Sequence, residues 1–214
     1  MKPLKYFNVA QNEQEWYNLR AGLVTSSKLN CIMANYGKAF GEPAKDYAVD
    51  IAIEKITGNP SDDGYSNSHM DRGHEQEPIA RELYEDELFC DVDGGGFFCN
   101  DMVGCSPDGL VGKDGLIEIK SVIRKVHYKN VKRQSIDPAY RWQILANLMF
   151  TGREWIDFVS YCAGYPESKR LYVCRVYASD CAEQFEMIMA RLSEFMELIG
   201  ETRVMIENSD YFLK

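Results

Sequence analysis

Residues 104–120, GCSPDGLVGKDGLIEIK, contain three side chains of types that can bind a metal ion or transfer a proton. Asp108 follows a Ser-Pro pair, and Glu118 and Lys120 are separated by a single isoleucine. Alternate side chains of an extended strand share a face, so Glu118 and Lys120 point to the same side. A Gly-Lys-Asp-Gly turn predicts a hairpin, and closure of that hairpin brings Asp108 close to Glu118.

This trio of side chains suits metal-assisted hydrolysis of a phosphodiester. Two carboxylates held close together repel each other, and a hard cation such as Mg²⁺ removes that repulsion while also binding phosphate oxygens. A neighbouring lysine can orient or deprotonate a water, or offset charge on a phosphate. A surface strand with an ordinary Glu–Lys pair is the alternative. The apolar residues on the opposite face and the Ser-Pro-Asp-Gly entry favour the buried arrangement.

The charge of the chain is unevenly distributed. The net charge is −9, which taken alone argues against a nucleic-acid partner, because phosphate binding relies on lysine and arginine. Residues 120–136, however, contain six Lys and Arg residues and no acid. Because salt screens charges over about 8 Å, a basic surface can attract a polyanion even when a distant surface of the same protein is acidic. The segment therefore fits a polyanionic substrate, and a solvated basic loop without a partner is the alternative.

Length and cysteine content predict a single cytoplasmic domain spanning residues 1–214. The seven cysteines are odd in number and none forms a C-x-x-C pair, which favours reduced thiols over disulfides or a zinc ribbon. The N-terminal segment lacks the apolar core of a secretory signal. No apolar run approaches the roughly 20 residues of a membrane-spanning helix, so no membrane association is expected.

Hydrophobic periodicity and turn residues predict helices around one central sheet. Helices are expected at residues 12–34, 44–57, 75–89, 139–150 and 180–200. Strands are expected in a hairpin over residues 96–122 and at residues 155–162 and 170–178. Pro78 fits only a first helical turn, and DVDGGG at 91–96 and NPSDDGYSNS at 59–68 are interpreted as loops. The order predicts a mixed α/β (α+β) fold, a central mixed sheet flanked by helices.

Four sequence motifs, in order along the chain, resemble those of one nuclease family. They are WYNLRAGLVTSS at 16–27, RGHEQEPIAR at 72–81, CSPDG at 105–109 with LIEIK at 116–120, and YRWQILANLMFTG at 140–152. Together they resemble the phage lambda exonuclease and YqaJ-type viral recombinase branch of the PD-(D/E)xK nucleases. The resemblance implies a restriction-endonuclease-like core.

The resemblance also implies roles for the matching residues of the hairpin. Asp108 and Glu118 resemble direct metal ligands, with the backbone carbonyl of Ile119 as a third. Lys120 resembles the catalytic lysine that positions or activates the attacking water. The implied cofactor is Mg²⁺, or Mn²⁺ in its place, with two ions per site.

Residues outside the hairpin complete the implied site. Glu77 resembles the helix-borne acid of the metal site, although Glu75 is a nearby competitor and an exposed glutamate at a helix start is the alternative. Gln143 resembles the glutamine that contacts the nucleophilic water or the substrate. Arg20 and Ser27 resemble the pocket for the 5′-phosphate of the digested strand. In the same motif, Thr25 and Ser26 are also candidates for helix N-caps.

The family resemblance implies 5′→3′ digestion of linear duplex DNA to mononucleotides, which leaves a 3′ overhang for recombination. It further implies a homotrimeric ring and a single-strand annealing protein as partner, with the acidic C-terminal helix as one candidate docking face. Tyr128, Tyr140 and Trp142 are candidates for stacking on frayed bases, although core packing is favoured for Trp142. An endonuclease or structure-specific repair nuclease on the same fold stays open, as does a catalytically silent scaffold that binds DNA ends.

Overall fold

A computed structural model describes residues 4–61 and 68–209. Its α-helices are α1 (Gln14–Arg20), α2 (Leu29–Met33), α3 (Glu42–Thr57), α4 (Ser68–Leu88), α5 (Arg124–Arg133), α6 (Arg141–Thr151) and α7 (Ala182–Glu207). Its strands are β1 (Lys5–Phe7), β2 (Val24–Thr25), β3 (Val92–Gly94), β4 (Phe97–Cys99), β5 (Val103–Cys105), β6 (Gly109–Val111), β7 (Gly115–Ser121), β8 (Trp155–Tyr161) and β9 (Leu171–Tyr177). The predicted mixed α/β fold is confirmed. Residues 59–68 were interpreted as a loop. Residues 62–67 of that stretch lie outside the described ranges.

The strands form two mixed sheets instead of one. The larger sheet has the order β3-β6-β7-β8-β9, in which only the β7–β8 pair is parallel. The smaller sheet has the order β1-β4-β5-β2, with β2 and β5 parallel. The predicted hairpin over residues 96–122 is therefore divided: its first part supplies β4 and β5 to the small sheet, and only β6 pairs with β7. The chain changes sheets at Ser106–Asp108, where Pro107 lacks the N–H that a continuous strand needs.

The central strand β7 buries both of its faces. Ile117 and Ile119 pack against α4 through Ala80 and Tyr84. On the other face Leu116 packs with Ile144 and Leu148 of α6. Because successive side chains of a strand alternate between faces, Glu118 and Lys120 join Leu116 on the α6 side. The polar pair is thus enclosed between the sheet and α6, as the sequence pattern predicted.

Two predicted helices and one alternative interpretation differ from the structure. The helix expected over residues 12–34 is interrupted by β2, because Gly22 adopts a left-handed φ of 73° and the following residues pair with β5. The helix expected to begin near residue 75 begins at Ser68, so Pro78 lies inside α4 and not in its first turn. The solvated loop that was the alternative for the basic segment 120–136 is not observed, because residues Arg124–Arg133 form α5.

The three glycines at residues 94–96 are also not a flexible loop. Gly94 belongs to β3, and Gly95 is buried against the backbone of the Ser106–Asp108 connection. A Cβ atom on Gly95 would overlap the carbonyl oxygen of Pro107. A glycine is needed at position 95 because the two backbones approach closely there. Gly95 thereby supports Pro107, the residue before Asp108.

Gly95→Ala is therefore expected to destabilise the protein by about 1–3 kcal/mol, since the added methyl group forces Pro107 away. Denaturant unfolding followed by circular dichroism measures the change. Gly94→Ala is the matched control, because a Cβ at Gly94 meets nothing within 4 Å. Equal stabilities of the two variants would contradict the supporting role of Gly95.

The described residues contain no helix that is long and apolar enough to cross a membrane. All seven cysteines are free thiols, and Cys99, Cys105, Cys162 and Cys181 are buried. The prediction that most of the cysteines are buried is confirmed.

Candidate active site

Every site residue predicted from the sequence lines one cavity of about 700 Å³. The cavity lies where β7, the first half of α4, the start of α6 and the α1–α2 region meet. The predicted residues on its wall are Arg20, Ser27, Glu77, Asp108, Glu118, Ile119, Lys120 and Gln143. Residues from four separate motifs are thus brought to one place.

The β6–β7 register brings Asp108 beside Glu118. Gly109 pairs with Ile117, which places Asp108 across from Glu118 at the next position. The backbone N–H of Asp108 donates to the Ile117 carbonyl at 3.1 Å. The backbone N–H of Ile119 donates to Asp108 Oδ2 at 2.6 Å. These two bonds fix the aspartate against the central strand, so its carboxylate does not depend on a flexible loop for its position.

Three donors hold the Glu118 carboxylate, which is almost fully buried. Lys120 Nζ donates to Oε1 at 2.6 Å. Gln143 Nε2 donates to the same oxygen at 2.6 Å. Asn147 Nδ2 donates to Oε2 at 2.7 Å. Glu118 is thereby fixed both by its own strand and by two amides that project from α6.

Burial, and at Glu77 and Glu118 also the charge of Asp108, raises the proton affinity of the cavity carboxylates. Burial, followed by the charges of Asp108 and Glu118, raises the pKa of Glu77 to about 8. Burial and the charge of Asp108 raise the pKa of Glu118 to about 7, and burial raises the pKa of Asp108. Burial alone lowers the pKa of Lys120, but Glu118 and Asp108 outweigh this effect and raise it above its ordinary value. At neutral pH the site therefore holds a charged lysine among acids that share protons.

The structure distinguishes the two competing glutamates of α4. Glu77 is partly buried and lines the cavity, whereas Glu75 is exposed and lies outside the cavity wall. The two side chains differ because a helix turns about 100° per residue, so positions two apart face nearly opposite directions. Glu77 is the residue placed to act together with Asp108 and Glu118.

Arg20 and Ser27 line the part of the cavity wall that comes from the N-terminal segment of the chain. The Arg20 guanidinium lies over the Trp16 ring, 4.0 Å from its centroid, because the two residues are one helical turn apart. Trp16 Nε1 in turn donates to Ser106 Oγ at 2.7 Å. Through Trp16, the W-x₃-R spacing thus links Arg20 to the Ser106–Asp108 segment.

The helix-cap interpretation of Thr25 and Ser26 is not supported, since no side-chain cap bond forms in the short 3₁₀ turn of Ser26–Lys28. The Thr25 hydroxyl instead lies 3.2 Å from Ser27 Oγ and 3.4 Å from Tyr47 Oη. Ser26 is buried and lines the cavity beside Ser27. The Thr25 hydroxyl therefore contacts Ser27 and Tyr47, and neither Thr25 nor Ser26 caps the backbone of a helix.

The structure adds two residues to the site predicted from the sequence, one bonded to Glu118 from behind the cavity wall and one on the wall itself. Asn147, which bonds Glu118, follows Gln143 by one helical turn, and that i, i+4 spacing is a signal that would have identified it. Arg72 lines the cavity and its Nη2 donates to the Ser121 carbonyl at 3.3 Å. It stands immediately before the glycine of the second motif, and no spacing rule marks it as a cavity residue.

The donor set of the cavity fits a hard dication. Asp108, Glu118 and Glu77 offer carboxylate oxygens, and oxygen ligands are what Mg²⁺ takes. Burial raises the pKa of all three, and the charge of Asp108 adds to this effect at Glu77 and Glu118, so a bound cation would stabilise their charged forms. Within residues 4–61 and 68–209 no three His, Cys, Asp or Glu side chains already stand in a metal-holding group. The oxygens of Glu118 and Asp108 accept hydrogen bonds instead.

Comparison with known proteins identifies the class to which this fold and site belong. The model of the YqaJ-like viral recombinase domain matches residues 15–154. The chain belongs to that family. The match includes every residue predicted for the site. No curated protein matched the sequence.

Solved structures agree with this assignment. An alkaline exonuclease from Laribacter hongkongensis is 30% identical, with a TM-score of 0.78, and the alignment covers 91% of this chain and 97% of that one. The same exonuclease in complex with dAMP is 31% identical at a TM-score of 0.79, with the same coverage. A phage-related exonuclease from Haemophilus somnus 129PT is 16% identical at a TM-score of 0.64 over 90% of this chain and 99% of that one, and supports the fold alone. The predicted family, the restriction-endonuclease-like fold and the exonuclease class are confirmed.

Proposed function

We propose that this protein is a Mg²⁺-dependent exonuclease that digests one strand of linear duplex DNA in the 5′→3′ direction to mononucleotides. The observation that carries the proposal is that carboxylates with Lys120 and, separately, Arg20 with Ser27 line the same cavity. Acids and a lysine suit phosphodiester hydrolysis, and an arginine suits a terminal phosphate. The L. hongkongensis exonuclease was solved with dAMP, a deoxynucleoside monophosphate, which is the product class proposed here.

Asp108, Glu118 and the carbonyl of Ile119 would hold one Mg²⁺, or Mn²⁺, and Glu77 would complete a second ion site or its water shell. The cation supplies Lewis-acid polarisation of the scissile phosphate and a water of lowered pKa. Glu118 reaches this position from β7, Asp108 from the adjoining β6 end, and Glu77 from α4. Three rigid elements therefore set the ligand positions.

Lys120 is proposed to orient the attacking water and to offset charge on the phosphate. Its ammonium group is charged in the metal-free site, because Glu118 and Asp108 hold its pKa above the ordinary value. Tyr140 lies beneath it, with Nζ 5.2 Å from the ring centroid. Gln143, also on the cavity wall, is proposed to contact the same water or the substrate once its amide leaves Glu118.

The pocket formed by Arg20 and Ser27 is proposed to bind the 5′-phosphate. A guanidinium binds a terminal phosphate through two parallel hydrogen bonds. Each cleavage exposes a new 5′-phosphate one nucleotide further along, which can enter the same pocket and draw the duplex forward. This arrangement accounts for digestion from an end and for the 5′→3′ direction.

Helix α5 is proposed to hold the duplex beside the cavity. Its exposed positions carry Arg124, Lys125, Lys129, Lys132 and Arg133, and its first turn contains no acid. Its opposite face is fixed by His127 and Asn130, whose side chains lie 3.0 Å and 3.1 Å from Ser160 Oγ. Exposed lysines and arginines on a fixed helix suit the phosphate backbone of DNA. Tyr128 is exposed on the same helix, whereas Trp142 packs partly buried against the core as expected.

We further propose that the chain acts in the cytoplasm as a homotrimeric ring and transfers its 3′ overhang to a single-strand annealing protein. This part rests on the family resemblance. Exposed glutamates along α7, including Glu183, Glu186, Glu197 and Glu201, leave that helix as a candidate docking face for the partner.

Digestion of linear and covalently closed circular duplex, each with Mg²⁺ or with EDTA, tests the proposal. The exonuclease is expected to release mononucleotides from the linear duplex with Mg²⁺ and to leave the circle intact. Cleavage of the circle would indicate an endonuclease. Binding of duplex ends without cleavage in any metal would indicate a catalytically silent scaffold.

The raised pKa values of the acids predict how stability depends on pH and metal. A carboxyl whose pKa is higher in the folded state than in the unfolded state favours folding at low pH, and that contribution is lost as the pH rises through the folded-state value. For Glu77 the values are 4.5 and about 8. The melting temperature of the metal-free protein is therefore expected to fall between about pH 5 and pH 8.5. Mg²⁺ is expected to restore it most strongly at the alkaline end.

Differential scanning fluorimetry across this pH range, with EDTA or Mg²⁺, measures the effect. Glu77→Gln is the matched control, because it removes one repelling charge and keeps every other titrating group. In EDTA the variant is expected to lose less stability with rising pH than the wild type. Parallel curves for the two proteins would contradict the electrostatic coupling of Glu77 to Asp108 and Glu118.

A further inference from the structure

Asn147 has a contact with the site that none of the roles above explains. It lies on α6 one turn beyond Gln143 and is fully buried. Its Nδ2 donates to Glu118 Oε2 at 2.7 Å. The two amides of α6 therefore reach the two different oxygens of one carboxylate, since Gln143 bonds Oε1.

The hydrogen bonds of Glu118 divide unequally between its oxygens. A carboxylate oxygen offers two lone-pair positions. Oε1 accepts from both Lys120 and Gln143. Among the described residues, Oε2 accepts from Asn147 alone. One acceptor position is therefore left on Oε2. The hydrogen bond from Asn147 fixes the position of this oxygen.

Packing alone does not account for an asparagine at this position. Its neighbours along the helix, Leu145, Ala146 and Leu148, are buried and apolar. The Asn147 Oδ1 atom is buried and has no hydrogen-bond partner within the described part of the chain. A buried polar atom without a partner costs free energy that an aliphatic side chain would not. The benefit of this asparagine must therefore come from its bond to Glu118.

We propose that Asn147 is a positioning residue that fixes the Glu118 carboxylate so that Oε2 presents its remaining lone pair to the metal. This inference rests on the proposed metal-dependent function. Asn147 does not contact the substrate in this account and acts only through Glu118. Partners that orient a metal-binding carboxylate in this way typically change metal affinity about 10–100-fold when removed.

Mn²⁺ binding to the intact protein, measured from the electron paramagnetic resonance signal of the free ion, tests the inference without relying on activity. Asn147→Leu and Asn147→Ala are expected to weaken Mn²⁺ binding about 10-fold or more. Asn147→Leu is expected to keep the melting temperature in EDTA close to that of wild type, because removal of the unpartnered oxygen offsets the loss of the donor to Glu118 Oε2. Loss of affinity together with retained stability is a result that a purely structural role would not give.

Leu148→Ala is the matched control, since Leu148 is buried on the same helix and packs with apolar residues of the adjoining cluster. It is expected to lower the melting temperature while leaving the Mn²⁺ affinity within about twofold of wild type. Wild-type affinity in both Asn147 variants would overturn the positioning role alone. Absence of Mn²⁺ binding and of metal-dependent cleavage in the wild type would overturn the proposed function as well.

Discussion

Lys120→Ala is expected to lower the rate of mononucleotide release from linear duplex about 10²-fold or more. The ammonium group is 2.6 Å from Glu118 Oε1 and lines the cavity with the acids, so its removal leaves the attacking water unoriented and the phosphate charge without an offset. Single-turnover digestion at saturating DNA measures the chemical step apart from product release. The effect should appear in the rate constant and not in DNA affinity.

Lys113→Ala is the control for Lys120→Ala. Lys113 is exposed in the turn between β6 and β7 of the same hairpin, outside the cavity wall. Its replacement removes the same charge from the same pair of strands and is expected to leave the rate unchanged. A rate in Lys120→Ala equal to that of this control would remove the lysine from the mechanism and leave the cavity without its proposed water-orienting group.

Arg20→Ala is expected to abolish the preference for phosphorylated ends. Charge-assisted hydrogen bonds contribute about 1.5–3 kcal/mol each, so kcat/KM on 5′-phosphorylated duplex should fall about 10–100-fold. Duplex with a 5′-hydroxyl has no terminal phosphate to lose, and its digestion should change little. The measurement is the ratio of kcat/KM for the two substrates, which should approach one in the variant.

Arg203→Ala is the control for this prediction. Arg203 is an arginine of α7 that pairs with Glu207 at 2.9 Å and is absent from the cavity wall. The control should keep the wild-type ratio. An equal fall in kcat/KM on both substrates in Arg20→Ala would contradict a terminal-phosphate pocket. It would instead indicate a general role of Arg20 in DNA binding or folding.

The hairpin chemistry was predictable because strand periodicity and turn residues are local properties. The alternation of Glu118 and Lys120 with isoleucines set their common face, and the short turn set Asp108 opposite them. The structure has this register, with Gly109 paired to Ile117. The helices at residues 44–57 and 180–200 were also predictable from local sequence. Gly58 ends the first of them with a left-handed φ of 71°.

The remaining features depend on contacts between distant segments. The burial of Gly95 against Pro107 is a long-range backbone approach, and a run of glycines without that partner resembles a loop. The division of residues 96–111 between two sheets follows from pairing with β1 and β2, which local propensity does not encode. The bond between Asn147 and Glu118 likewise depends on how α6 lies on the large sheet. Family motifs identified the residues of the site, but only the packed elements show how they hold one another.

Metal-dependent 5′→3′ digestion can be tested by time-resolved digestion of a linear duplex with a 5′-phosphate at one end and a 5′-hydroxyl at the other. Each strand carries a distinguishable label, and wild type is compared with Lys120→Ala in Mg²⁺ and in EDTA. Ordered release of mononucleotides from the phosphorylated end is expected, abolished by EDTA and strongly reduced in the variant. Release from 3′ ends first, or release that continues in EDTA, would contradict metal-dependent 5′→3′ digestion.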